Sequence, residues 1–168
     1  MTFEEYVRAR GPALVRLARL LARDRDLAED LVQEVLSRAY PRWPALTRDG
    51  RTDMYLRRML VNANASWWRR SSNRELALGS GAITAMADRP ARSGLDVESA
   101  ERDAMWRQIL RLPERQRAVL VLRYYEDLDD AAIAEILDCS PATVRTHAMR
   151  ALITLRERHL APGLGRPA

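Results

Sequence analysis

Residues 127–160 read DLDDAAIAEILDCSPATVRTHAMRALITLRERHL. Two helical patterns meet there at a three-residue break. Asp129 or Asp130 can cap a first helix that runs through Leu137, and DCS makes the turn. Ser140 caps the second helix, with Pro141 at its first position, where proline's fixed φ and missing N–H cost nothing. Ala134 is small where two helices must cross closely. Ile133, Leu137, Cys139 and Val144 fall where such a pair needs apolar packing, so Cys139 reads as a core residue. Asp138 stands where the turn needs left-handed backbone, which Asp tolerates better than most residues. Two helices on a three-residue turn form a helix-turn-helix. Such a unit reads DNA with the N-terminal half of its second helix, which puts Arg145, Thr146, Met149 and Arg150 on the reading face. Arg can fork onto guanine, and Met can touch a thymine methyl. His147 either reaches phosphate or packs against the first helix.

Upstream the pattern is helical too. Leu14, Leu17, Ala18 and Leu21 make a stripe, broken by RDRD at 23–26. Ala28, Leu31, Val32, Val35, Leu36 and Ala39 repeat it, with Asp26 as the expected cap and Glu29 completing a capping box. Pro41 and Pro44 end that helix, and TRDG at 47–50 is a turn. Thr52 or Asp53 caps a third helix. Leu56, Met59, Leu60, Ala63 and Trp67 form its buried side, and Arg58, Asn62, Arg69 and Arg70 its outward side. Residues 71–98 lack sustained periodicity and hold three Gly and one Pro, which reads as a linker. Helical patterning returns from Val97 to Leu110. Pro113 suits the first turn of a further helix, in which Ala118, Val119 and Leu122 lead to Tyr125. No segment alternates with period two for long, so no strand is expected. The expected fold is all-α: a helical domain over 1–70, a linker over 71–98, a helix-turn-helix domain over 99–160 and a tail over 161–168.

Composition narrows the function. The chain has 168 residues and 47% apolar content, enough for one ordinary domain or two small ones. No apolar run is long enough to span a bilayer, and MTFEEYVRAR lacks the apolar core of a signal peptide. One cysteine excludes an internal disulfide framework and suits a reducing cytosol, so a cytoplasmic protein is expected, with no membrane partner. Two His, no metal-ligand spacing and no Gly-rich phosphate loop argue against an enzyme, a metal site or a cofactor. The net charge is +5, and every basic residue is Arg. The charge is patterned: residues 24–34 carry five acids against Arg25, and residues 51–70 carry five Arg against Asp53. Residues 126–138 are again acidic and 139–158 again basic, as if two similar two-faced modules were strung together.

Three blocks, in this order, resemble the small bacterial RNA polymerase sigma factors of the extracytoplasmic-function (ECF) class. DLAEDLVQEVLSRAY at 26–40 resembles their region 2 clamp helix, YLRRMLVNANASWWRR at 55–70 the helix that reads the −10 promoter element, and residues 112–152 their region 4, which reads the −35 element. The resemblance implies a factor that binds polymerase core and directs promoter-specific initiation. It implies a core-binding face of Asp26, Glu29, Asp30, Gln33 and Glu34. It implies −10 contacts from Arg58, Asn62, Arg69 and Arg70. Trp68 either stacks on an unpaired base or packs on a neighbouring loop, whereas Trp67 sits on the buried stripe. The −35 face is Arg145, Thr146, His147, Met149 and Arg150. Partners are then polymerase core, promoter DNA and an anti-sigma protein, which relatives often have. Ser66 and Val61 stand where many relatives carry Asp and Arg. The rival reading is a dimeric helix-turn-helix repressor or activator.

Promoter elements two helical turns apart are separated by roughly 60–70 Å. A relaxed coil of linker length averages about 30 Å and a fully extended one reaches about 90 Å. The linker therefore bridges them only when stretched along a surface.

Overall fold

A computed structural model describes residues 1–78 and 97–160; every described element is a helix. The chain divides into two compact units. In the first, α1 (Phe3–Ala22), α2 (Arg25–Ala39), α3 (Trp43–Arg48) and α4 (Thr52–Leu78) pack together, with a 3₁₀ turn at Tyr40–Arg42. Helix α1 starts well before the Leu14 stripe because Thr2 and Glu5 form a reciprocal capping box. Leu17, Leu21, Ala28, Leu31, Val35, Leu56 and Leu60 make the core. Each such leucine contributes about 1.5–3 kcal/mol by leaving water.

Four local expectations are corrected in this unit. The cap of α2 is Asp24, whose carboxylate accepts the Leu27 N–H at 2.8 Å. Asp26 lies in the first turn, because the chain leaves α1 through Arg23 in left-handed backbone (φ 65°) and re-enters a helix at Arg25. Pro41 and Pro44 end α2 but do not end helicity: each occupies a first-turn position, of the 3₁₀ turn and of α3. Thr52 is the first residue of α4, and Asp53, also in its first turn, instead accepts the Tyr6 hydroxyl at 2.6 Å. Trp67 is half-buried, not core. It stands one turn past Ala63 and Asn64, where α4 passes the end of α1, and it meets Trp68 edge-on at 4.8 Å.

Helix α4 continues to Leu78, eight residues into the stretch read as a linker. No Gly or Pro interrupts it before Gly79. The rest of that stretch, up to residue 96, and the tail from 161 lie outside the described residues.

The C-terminal half of the chain, which makes up the second unit apart from Glu135–Asp138, contains α5 (Val97–Leu110), α6 (Glu114–Tyr124), α7 (Asp130–Leu137) and α8 (Pro141–Leu160). Leu112, Leu120 and Ala151 form a core cluster, with Ile109 and Leu155 packed on it. Pro113 immediately precedes α6 in extended backbone and is not its first helical residue. Arg117 is 1% exposed, and its Nη1 donates to the carbonyls of Leu110 (3.2 Å) and Leu112 (3.1 Å).

Candidate nucleic-acid and polymerase interfaces

The helix-turn-helix is built as its residues dictate. Asp129 caps α7, accepting the Ala132 N–H at 2.8 Å. Asp138 adopts φ 53°, and the Cys139 N–H returns to the Ala134 carbonyl at 3.0 Å. Ser140 Oγ accepts the Thr143 N–H at 3.1 Å and starts α8. Ile133, Ala134, Leu137 and Val144 are buried as required. Cys139 is half-buried instead of enclosed, since it sits in the turn, past the end of α7, at the edge of the packed layer.

Val144, Ala148 and Ala151 face inward, which turns Arg145, Met149 and Arg150 to solvent. Met149 is 56% exposed, unusual for its type and suited to an apolar contact. Thr146 is half-buried and donates its hydroxyl to the Ala142 carbonyl at 3.1 Å. Arg123, Arg145, Met149, Leu152, Ile153 and Arg156 border one open hollow of about 510 Å³. Arg156 was legible from spacing, since 145, 149, 153 and 156 share a helical face. Arg123 was not, because it arrives from α6.

His147 is half-buried with Nδ1 enclosed. Burial foremost, then the charges of Arg115 and Arg150, hold its pKa below the ordinary imidazole value. The unfolded chain therefore binds more protons than the folded one as pH falls below about 6.5. His147 adds stability pressure of one sign: full stability above that pH, loss as pH drops through the folded pKa. In the DNA-free protein its NMR titration, assigned with His147→Gln, is expected to have a midpoint below 6.5; a midpoint at or above 6.5 contradicts the packing.

On α2 the buried stripe of Leu27, Leu31, Val32 and Val35 leaves Asp26, Glu29, Asp30, Gln33 and Glu34 exposed together. They are not equivalent. Glu29 is engaged by Arg19 at 3.1 Å and Arg25 at 3.4 Å, and its pKa lies below the usual carboxylate value, Arg19 being the larger cause. Glu34 pairs with Arg38 at 3.4 Å. Asp26 and Asp30 make no ion pair among the described residues.

On α4, Arg58, Asn62, Arg69 and Arg70 are exposed. Spacings of four and seven keep Arg58, Asn62 and Arg69 on one face. Ser66 Oγ accepts from Arg69 Nη2 at 3.1 Å, which orders that arginine. Trp68 is off this face and half-buried, with the Arg23 guanidinium 5.3 Å above its ring. Val61 is buried. Asn64, two residues past Asn62, was missed by the sequence reading: it is buried and donates to the Leu21 carbonyl at 3.4 Å, tying α4 to the end of α1.

An acidic helix face and a basic helix face in one unit, with a helix-turn-helix in the other, fit a DNA-binding transcription factor with a protein partner. Comparison with known proteins gives the family. Residues 6–74 match Sigma-70 region 2 and residues 102–155 match Sigma-70 region 4. An RNA polymerase sigma-E factor of Streptomyces coelicolor is 35% identical over 98% of this chain and 89% of its own length. The ECF RNA polymerase sigma factor SigM of Mycobacterium tuberculosis is 30% identical over 89% of this chain and 72% of its own. Two solved structures share the fold. One is the sigma factor RpoE with the anti-sigma factor NepR from Bartonella quintana (TM-score 0.73, 24% identity, 95% of this chain and 98% of that one). The other is CnrH with the cytosolic domain of CnrY (TM-score 0.66, 18% identity, 96% and 89%). The chain belongs to the sigma-70 family, in its ECF class. It is a transcription initiation factor that binds RNA polymerase core and directs initiation at specific promoters. A dimeric repressor or activator is not favoured, because region 2 accounts for the N-terminal unit. Among the described residues no helix is long and apolar enough to cross a membrane.

Proposed function

We propose a division of labour among the exposed faces. The face of α2 formed by Asp26, Glu29, Asp30, Gln33 and Glu34 grips polymerase core. Arg58, Asn62, Arg69 and Arg70 engage the −10 element: the arginines hold phosphates and Asn62 bonds an unstacked base. Trp68 packs beneath Arg23 in place of stacking on DNA. Arg145, Thr146, Met149 and Arg150 dock on the −35 element, with His147 packed behind them. The observation that carries this reading is the capped α8, whose inward Val144 and Ala148 leave Arg145, Met149 and Arg150 exposed. The domains are proposed as 1–70 and 99–160, with α4 carrying the first into the linker as far as Leu78 and the tail as read above. The chain acts in the cytoplasm and carries no catalytic residue.

An anti-sigma partner is also proposed, since one structural relative, RpoE, was solved with the anti-sigma factor NepR. The second unit offers a surface for one. An apolar groove of about 600 Å³ is lined by Met105, Trp106, Ile109, Tyr124, Leu152 and Leu155 among others.

Run-off transcription with core polymerase over a genomic fragment pool tests the whole reading: defined start sites support it, and none refutes it. The roles of Arg145 and Arg150 are separable. Arg145→Ala is expected to cost about 1–3 kcal/mol and to relax discrimination at one −35 position. Arg150→Ala should weaken all promoters alike and flatten the salt dependence by about one unit of slope. Open-complex formation on matched and scrambled −35 templates measures both; wild-type behaviour of both variants on both templates removes the −35 assignment.

A further inference from the structure

Two adjacent acids open the helix-turn-helix, and only one of them caps it. With Asp129 serving the Ala132 N–H, Asp130 is left for other partners. Its Oδ1 accepts from Nη2 of Arg123, at the end of α6, and its Oδ2 lies 3.7 Å from Nη1 of Arg145 on α8. The side chains of Arg123 and Asp130 are 25% and 26% exposed, whereas that of Arg145 is 63% exposed. One carboxylate thus joins a sheltered arginine to one that reaches into solvent, and both arginines border the hollow beside Met149.

We propose that Asp130 is a positioning residue for promoter readout: anchored by Arg123, it holds one edge of the Arg145 guanidinium so that the other edge meets a base in a set orientation. The inference rests on Arg145 contacting DNA, as proposed above. A free arginine samples many rotamers and satisfies any phosphate within reach. An arginine with one edge already engaged has lost part of that freedom before binding, so less is lost at the base. Bidentate pairing with guanine depends on that orientation, whereas a phosphate contact does not. Arg123 also offsets the Asp130 charge, so the carboxylate does not repel the DNA backbone. Arg150, five residues on, makes no ion pair among the described residues, as suits a phosphate contact. The tether therefore distinguishes Arg145 from Arg150.

The test uses holoenzyme reconstituted from core polymerase and the full chain, on promoters carrying each single-base change in the −35 element. Asp130→Asn keeps the shape of the side chain and removes its charge. It is expected to reduce the preference for the matched base at the Arg145 position by about two- to tenfold, the range for one side chain that loses its preorganisation. Preferences at the other positions should hold. Arg145→Ala should erase the preference at that position, and the double variant should discriminate no worse than Arg145→Ala alone. Full discrimination by Asp130→Asn at every position overturns the proposal. So does a defect of equal size on every template, scrambled ones included, because that marks loss of fold. If Arg145→Ala also discriminates like wild type, the reading of Arg145 as a DNA contact falls and the tether falls with it. If Arg145→Ala is defective while Asp130→Asn is not, only the tether falls.

Discussion

Asp30→Arg is expected to weaken binding to polymerase core by roughly 30- to 1000-fold, about 2–4 kcal/mol, without unfolding the protein. The reasoning begins with the helix. Leu31, Val32 and Val35 bury the inner face of α2 and place Asp30 outward. Asp26 and Gln33 stand beside it at helical spacing, and Asp30 makes no ion pair among the described residues. Reversing its charge therefore breaks no internal contact. It also lies beyond the first turn of a helix that begins at Arg25, where the cost of a cation near a helix N-terminus has faded. Stability should change by no more than about 0.5 kcal/mol, the usual range for exposed positions. Glu29→Arg is a poorer probe, because it also breaks the pairs with Arg19 and Arg25. Capture of core by the Asp30→Arg chain is measured beside its circular-dichroism melt. Undiminished capture at an unchanged melt removes α2 as the clamp.

What the sequence made legible follows from how local each determinant is. The helix-turn-helix rests on Asp138, Ser140 and Pro141, whose preferences act within a turn, and the structure has them as read. The exposed faces of α2, α4 and α8 follow from periodicity alone. The misplaced cap of α2 came from competition between equivalent residues. RDRD offers two aspartates as caps; Asp24 wins because Arg23 takes a left-handed conformation rarely adopted by residues other than Gly. Asp129 and Asp130 likewise compete at α7, and the loser tethers arginines. The capping box of Thr2 and Glu5 carried the expected spacing and was passed over because no apolar stripe followed at once. Contacts between distant helices had no sequence signal. Tyr6 meets Asp53 across 47 positions. Burial contributes most to raising the Tyr6 phenol pKa, and the Asp53 hydrogen bond adds to it.

Arg117 also went unread in the sequence, since an arginine is almost never fully buried without partners, and its replacement should have the largest effect on stability. Arg117→Ala is expected to destabilise the second unit by about 3–5 kcal/mol. The side chain is 1% exposed and donates from Nη1 to the carbonyls of Leu110 and Leu112. Leu110 ends α5 and Leu112 lies two residues past it, where carbonyls lack partners within the helix and a cation is favourable. Truncation leaves two acceptors without this donor and opens a cavity among Leu112, Ala118 and their neighbours. A unit of this size is stable by only about 3–10 kcal/mol, so the loss is a large share of the total. Hydrogen exchange on the full chain should then show protection falling across α6 and α8 while Leu56–Asn64 of α4 keeps its own. Core capture through α2 should survive, and initiation that depends on the −35 element should collapse. Arg117→Lys, which keeps a charge and can reach one carbonyl, should lose less. Unchanged protection of α6 in Arg117→Ala would show that the buried guanidinium is not what holds α5 against α6.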